Sequence, residues 1–154
     1  SSAASDVYKR QLPVSSPDML CSELFREPIH VAVGKNHRLA SQPLARIPEL
    51  RNEKLLLLKE GHCFRDNALT VCSRARMQFS SMFETDQFSS IFPLVSAGFG
   101  VSLVPKMATA ATSDCIFLPL EREAWRRVGY MRVRRHVSGA AQNAFIKWLR
   151  EISR

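Results

Sequence analysis

The sequence predicts an α/β fold, because strand-like and helix-like segments alternate along most of the chain. Two observations carry this prediction. Short apolar runs of strand length, such as "IHVAVG" at 29–34 and "KLLLLKE" at 54–60, are separated by segments whose apolar residues recur with helical spacing. The alternation also indicates a largely parallel sheet, since parallel strands need a crossover connection that is usually a helix.

The elements can be assigned in chain order from these patterns. They are a strand at 29–34, one short helix within the polar connection 35–53, a strand at 54–60, a helix at 63–76, a strand at 78–85, a helix at 86–98, strands at 101–105, 115–120 and 127–135, and a closing helix at 139–154. Asp86 is the predicted N-cap of the helix at 86–98, and Pro93 is expected to interrupt or kink it. The closing helix has a predicted apolar face. It comprises Ala141, Ala144, Phe145, Trp148, Leu149 and Ile152.

Composition narrows the class of protein. The 154 residues are 45% hydrophobic, which suits a globular domain with a core. The sequence has no apolar run of about 18 residues that would predict a membrane span, and no secretory signal is recognisable. With only four cysteines, a reducing cytoplasm is the expected location. The net charge of +8 permits association with nucleic acid but is also typical of a solvated basic surface.

The stretch "FETDQFSSIFPLVSAGFGVSLVPKMA" at 83–108 is the most specific signal of organisation. Gly98 fits the left-handed position that ends a helix. Gly100 allows the backbone to turn tightly into the next strand, and Pro105 fits the end of that strand. The pattern is therefore a helix, the tetrapeptide "AGFG", and a strand closed by proline.

This pattern resembles the effector-binding domain of LysR-type transcriptional regulators. The resemblance extends from about Leu24 to the C-terminus and includes "EPIHVAVGKNHRLA" and "RIPELRNEKLLLL". It implies a fold like the type 2 periplasmic binding proteins, with two α/β subdomains and an effector cleft between them. Residues 26–131 would form a nearly complete second subdomain, with 12–25 and 132–154 as remnants of the first.

The first eleven residues, "SSAASDVYKRQ", have no periodicity that fits the rest of the chain. They resemble a translated sequencing-adapter artefact and are predicted to be non-native, so that residues 12–154 would be a fragment of the effector domain. The resemblance implies that DNA is contacted through an N-terminal helix-turn-helix that lies outside this sequence. It also implies a homodimer or tetramer for the full-length protein.

Within that family, "GHCFRDNALTVC" at 61–72 resembles the redox loop of the OxyR hydrogen peroxide sensors. In those sensors a histidine precedes the peroxide-reactive cysteine, Arg-Asp follows, and a resolving cysteine lies nine residues on. The resemblance assigns Cys63 and Cys72 as the redox pair. It assigns His62, Arg65 and Asp66 as residues that support the Cys63 thiolate.

The chemistry of this segment can also be argued from its residues. A cysteine at a helix start faces free N–H groups, which favour the thiolate that attacks peroxide. Nine residues of α-helix span about 13 Å, whereas a disulfide needs Cα atoms within about 7 Å. Cys63 and Cys72 are therefore either unrelated core residues or the halves of a switch that unwinds a helix. Cys21 and Cys115 are predicted to be structural, and no spacing typical of a zinc site or other cofactor is present.

A second predicted site is the effector cleft. Thr85, Asp86 and Gln87 precede a helix N-terminus at the end of a strand, where ligands bind in folds of this kind. Arg132 and Arg134 follow from the resemblance, since OxyR-type sensors carry a functional arginine in that strand.

The leading interpretation is the sensory domain of a cytoplasmic LysR-type activator that responds to hydrogen peroxide through Cys63 and Cys72. One alternative is a regulator that binds a small metabolite and has inert cysteines. A solute-binding protein of transport is a second alternative with the same fold. An enzyme is not expected, because the adjacent His62 and Cys63 side chains are poorly placed to act as base and nucleophile.

Overall fold

The computed structural model describes residues 7–12, 16–60, 63–74, 82–122, 124–134 and 139–153. Seven strands and three helices are named along these ranges. They are β1 (Val7–Leu12), β2 (Met19–Gly34), β3 (Leu55–Leu58), α1 (Cys63–Arg74), β4 (Met82–Thr85), α2 (Phe88–Ser96), β5 (Ser102–Pro105), β6 (Cys115–Pro119), β7 (Trp125–Val133) and α3 (Ala140–Ile152). Two 3-10 helices, Ile47–Leu50 and Lys106–Ala111, complete the set, and the first is the short helix that the sequence predicts in the polar connection.

The chain forms two compact units, each with its own packing. Unit 1 comprises the residues before Pro28 and after Trp125, and unit 2 is Pro28–Trp125. The predicted limits of the second subdomain, 26 and 131, lie near these divisions. No helix in the described ranges is long and apolar enough to cross a membrane.

In unit 1, the first part of β2, β7 and β1 lie side by side, and α3 supplies the apolar packing. The pairing of β1 with β7 is antiparallel and runs from Val7 opposite Arg132 to Leu12 opposite Arg127. The sequence predicts no helix or strand for residues 1–11, so strand β1 was not predicted. Whether those residues are native stays a prediction.

Helix α3 buries a face that shares only Leu149 with the face that its sequence predicts. Its buried residues are Gln142, Ile146 and Leu149. Tyr130 on β7 forms a small apolar cluster with Ile146 and Leu149. The other residues of the predicted face, Ala141, Ala144, Phe145, Trp148 and Ile152, are exposed, and the rings of Phe145 and Trp148 stack.

In unit 2, the second part of β2 lies between β5 and β6, and both pairings are antiparallel. β3 and β4 form a parallel pair, and an isolated parallel bridge joins Leu55 of β3 to Val101, whereas the three other pairings with a described register are antiparallel. The prediction of a largely parallel sheet was therefore wrong. A helix makes two strands parallel where it connects neighbours, as α1 does between β3 and β4, but β2 pairs with strands that come much later in the chain. β2 is also longer than predicted, since it begins at Met19 rather than Ile29.

The turn between α2 and β5 confirms the glycine prediction. Gly98 has φ of 80°, the left-handed conformation expected at a helix end. The N–H of Gly98 donates to the carbonyl of Val95, and that of Phe99 donates to the carbonyl of Leu94, which closes the helix. At Gly100, a Cβ atom would overlap the carbonyl oxygen of Lys54, so this position needs glycine for close backbone approach.

The other end of α2 differs from prediction. The N-cap is Gln87 rather than Asp86, and no side chain caps the helix. The Asp86 carboxylate instead accepts a hydrogen bond from the Lys59 Nζ at 3.2 Å. Pro93 does not interrupt the helix, which continues to Ser96.

Candidate functional site

Helix α1 carries both cysteines of the predicted redox pair. It begins at Cys63, close after the fully buried strand β3, as the sequence predicts. Phe64, Ala68 and Cys72 are buried and lie four residues apart, so they form the face that packs into the core of unit 2. His62, which is predicted to support the Cys63 thiolate, lies outside the described residues.

The two sulfur atoms are in contrasting surroundings. All four cysteines are thiols rather than disulfides. Cys63 is half-buried at the first residue of α1, whereas Cys72 is only 3% exposed. Because both belong to one continuous helix, their Cα atoms are about 13 Å apart. The structure thus has the helical arrangement in which a direct disulfide cannot form.

Burial determines the protonation state of Cys72. Desolvation raises the pKa of its thiol from 9.0 to about 12. At neutral pH this sulfur is a thiol, which is a poor nucleophile toward peroxide. Cys72 therefore cannot be the first to react while α1 is intact.

This shift predicts a pH dependence of stability. The pKa of the thiol is near 9 in the unfolded chain and near 12 in the folded chain. Above pH 9 the unfolded chain therefore loses this proton first, and the free energy of unfolding falls as the pH rises toward 12. Between pH 8 and pH 10 the free energy of unfolding should fall by about 1.4 kcal/mol more in the unsubstituted protein than in Cys72→Ala. Urea unfolding of both reduced proteins at the two pH values measures this difference. An equal fall in the free energy of unfolding for the two proteins would contradict the prediction.

Arg65 is held by a partner on a neighbouring strand. Its guanidinium donates to the Glu84 carboxylate on β4 at 2.6 Å. This hydrogen bond raises the pKa of Arg65. The Arg65 guanidinium thus forms an ion pair with the Glu84 carboxylate. That Arg65 supports the Cys63 thiolate stays a prediction.

Asp66 follows Arg65 in the first turn of α1. Its carboxylate is exposed, and its backbone carbonyl accepts a hydrogen bond from the Thr70 hydroxyl at 2.7 Å. An acidic residue in the first turn stabilises the positive end of a helix. Asp66 therefore contributes to helix stability, and its role beside the thiolate stays a prediction.

The residues predicted for the effector cleft fall into two groups. Thr85, Asp86 and Gln87 lie together at the carboxyl end of β4, immediately before α2. The carbonyl of Thr85 accepts a hydrogen bond from the N–H of Lys59, and the Gln87 Oε1 accepts one from the Ser89 hydroxyl. These residues form a polar end of β4, and their place in an effector cleft stays a prediction.

Arg132 and Arg134 belong to unit 1. Arg132 lies on β7 and is half-buried, while Arg134 is exposed and its backbone N–H donates to the carbonyl of Asp18 at 2.7 Å. The five predicted cleft residues are thus divided between two units.

The remaining cysteines are dissimilar. Cys115 is buried, its Sγ donates to the carbonyl of Phe92, and burial raises its pKa, as a structural role requires. Cys21 is exposed on β2, which does not fit a core position. In the described part of the chain, no three His, Cys, Asp or Glu residues are grouped to hold a metal ion.

Glu84 was not predicted from the sequence. The residue lies nineteen positions from Arg65, and no local pattern connects the two. The only signal for it was the β3–α1–β4 unit itself, because a parallel pair joined by a helix places the second strand beside that helix.

Comparison with known proteins decides the family. The sequence profile described as "LysR substrate binding domain" matches residues 4–154. The chain belongs to this family. The predicted resemblance and the periplasmic-binding-protein-like α/β fold are both confirmed.

Three similar proteins illustrate the kinds of regulator that this chain resembles. The transcriptional dual regulator GltC of Bacillus subtilis is 30% identical over 90% of this chain and 47% of its own length. The DNA-binding transcriptional dual regulator OxyR of Escherichia coli K12 is 31% identical over 69% of this chain and 36% of its own length. The reduced form of the OxyR regulatory domain from Pseudomonas aeruginosa is 26% identical with a TM-score of 0.80, covering 95% of this chain and 72% of that one. The chain spans less than half the length of both curated relatives.

Proposed function

We propose that this chain is the effector-sensing domain of a LysR-type regulator that responds to hydrogen peroxide by forming a Cys63–Cys72 disulfide. The observation that carries the proposal is the position of the two thiols on α1. One is half-buried at the first residue of the helix, and the other is buried nine residues on. Similarity to regulators named OxyR supports the same assignment.

The environments of the two cysteines divide their roles. The Cys63 thiolate attacks one peroxide oxygen, the O–O bond breaks, and the departing hydroxide takes up a proton and leaves as water. Cys63 is then a sulfenic acid. The Cys72 sulfur attacks the Cys63 sulfur, the S–S bond forms, and the S–O bond breaks, with the Cys72 proton leaving in a second water molecule.

The disulfide requires a change in α1. Since the helix separates the two Cα atoms by about 13 Å, at least part of the segment must unwind before the sulfur atoms can meet. A local covalent reaction then becomes a conformational change, which is the property that a sensor needs.

Peroxide treatment with disulfide mapping tests the proposal. One equivalent of hydrogen peroxide should give a Cys63–Cys72 peptide by mass spectrometry. Cys63→Ser should abolish it, and Cys72→Ser should leave a sulfenic acid that dimedone traps at Cys63. Cys115→Ser is the matched control, because it removes another buried thiol and should leave the disulfide intact. An unmodified Cys63 at low peroxide would rule out the sensor.

A metabolite-binding regulator is the second candidate. The polar end of β4 at Thr85, Asp86 and Gln87 favours it. In that case Cys63→Ser would leave the binding of the metabolite unchanged, and substitution of Gln87 would weaken that binding.

In the whole protein, we propose that DNA binding and assembly into dimers or tetramers depend on regions beyond the part of the relatives that this chain spans. The sensory domain would act on them through its change of conformation. The relatives are named as transcriptional regulators, and no enzymatic activity is proposed.

A further inference from the structure

We propose that Glu84 is a positioning residue that holds the first turn of α1 in the reduced state and thereby sets how readily the Cys63–Cys72 disulfide forms. The inference rests on the proposed redox function and goes beyond it. Glu84 is outside the motif that identifies the cysteines, and it acts through Arg65 rather than on either sulfur atom.

The two ends of α1 differ in how readily they can move. Cys72 is 3% exposed and is packed in the core, with Ala68 on the same face of the helix. Cys63 is half-buried at the end of the helix. Bringing the sulfur atoms together costs less if the Cys63 end unwinds, because helix ends open more readily than packed interiors.

Unwinding of the first turn breaks the contact between Arg65 and Glu84. Arg65 is two residues from Cys63, so it must move with the unwinding turn. Glu84 stays in place, because β4 pairs with the buried strand β3 through the register that sets Glu84 opposite Leu57. The 2.6 Å hydrogen bond between Arg65 and Glu84 is therefore lost on oxidation.

Loss of this contact changes the energy of oxidation. The Arg65 and Glu84 side chains are 18% and 35% exposed, so solvent screens the pair only in part. The interaction stabilises the reduced state and not the oxidised one. It must therefore lower the equilibrium constant for disulfide formation by the amount that it contributes to the reduced fold.

Phe64 adds to the same restraint by apolar contact. Its ring lies 5.7 Å from that of Phe88 at the start of α2, in an edge-to-face arrangement. Unwinding the first turn would separate these rings. The first turn of α1 is thus tied to β4 through Glu84 and to α2 through Phe88.

The test is a redox titration of the purified chain and of Glu84→Gln. In glutathione buffers, one oxidised glutathione is reduced to two thiols as the protein dithiol becomes a disulfide. Glu84→Gln should raise the equilibrium constant for disulfide formation by about fivefold, equivalent to about 20 mV for a two-electron couple. Glu84→Asp keeps the charge on a shorter side chain and should give a smaller change in the same direction.

Urea unfolding of both redox forms separates positioning from a general effect on the fold. Glu84→Gln should destabilise the reduced form and leave the oxidised form unchanged. Glu121→Gln is the matched control, because it removes another Arg–Glu pair of unit 2, with Arg46 at 3.0 Å, and should leave the equilibrium constant as in the unsubstituted chain.

The outcomes are distinguishable from those of the proposed function. If peroxide and glutathione give no Cys63–Cys72 disulfide in the unsubstituted chain, the redox function itself fails. If the disulfide forms but Glu84→Gln has an unchanged equilibrium constant, or destabilises both redox forms equally, the role of Glu84 is overturned. An equal effect of Glu121→Gln would overturn it as well.

Discussion

Replacing Phe92 with alanine is expected to lower the free energy of unfolding of the reduced chain by about 4 kcal/mol. Phe92 is 4% exposed, and its ring lies 5.9 Å from Phe88 and 5.7 Å from Phe117. Removing it would leave a cavity between α2 and β6 that the fixed neighbours cannot fill. The loss of transfer free energy and the cavity both oppose folding.

Phe99 provides the matched control for this substitution. Its side chain is 61% exposed after the turn that ends α2, and its structural hydrogen bond uses the backbone N–H, which alanine retains. Phe99→Ala should change the free energy of unfolding by about 0.5 kcal/mol or less. Urea unfolding monitored by circular dichroism measures both variants, and similar costs for the two would contradict the core packing described.

Sequence patterns predicted the elements that local chemistry determines. The start of α1 at Cys63 and the left-handed Gly98 both follow from signals within a few residues of each position. Strand direction did not follow, because the pairing of β2 with β5 and β6 depends on residues far apart in the chain. Periodicity shows that a strand is buried and not which strand it pairs with.

The two errors at side-chain level have a similar cause. Asp86 is a good N-cap by residue type, but Lys59, on another segment, binds its carboxylate. In α3, Phe145 and Trp148 are apolar yet exposed, while Gln142 is buried. Helical spacing identifies residues that share one face of a helix, but the packing of neighbouring elements determines which face is buried.

At the candidate site, too, some features follow from local sequence and others depend on the tertiary fold. The spacing of Cys63 and Cys72 established that a helix would keep them apart, and the structure has that helix. The burial of Cys72 and the contact between Arg65 and Glu84 depend on the tertiary fold. Local sequence therefore identifies the reacting groups, whereas the groups that restrain them are visible only in the structure.

Oxidation should remove the protection of backbone amides in α1 against hydrogen exchange. In the helix, the amides of residues 67–71 donate to the carbonyls of residues 63–67. A Cys63–Cys72 disulfide cannot form while these hydrogen bonds persist, because it requires Cα atoms within about 7 Å. Exchange of these amides is expected to become faster by about a hundredfold or more after oxidation. The amides of α2 serve as the internal reference, since the disulfide does not require that helix to unwind.

The Cys63–Cys72 disulfide and the intact α1 helix should therefore exclude each other. Hydrogen exchange with mass spectrometry, on reduced protein and on protein treated with one equivalent of peroxide, is the decisive test. The predicted result is a Cys63–Cys72 disulfide in the treated sample together with loss of protection at the amides of residues 67–71, while the amides of α2 keep theirs. A treated sample that carries this disulfide and retains the protection of α1 would contradict the mutual exclusion.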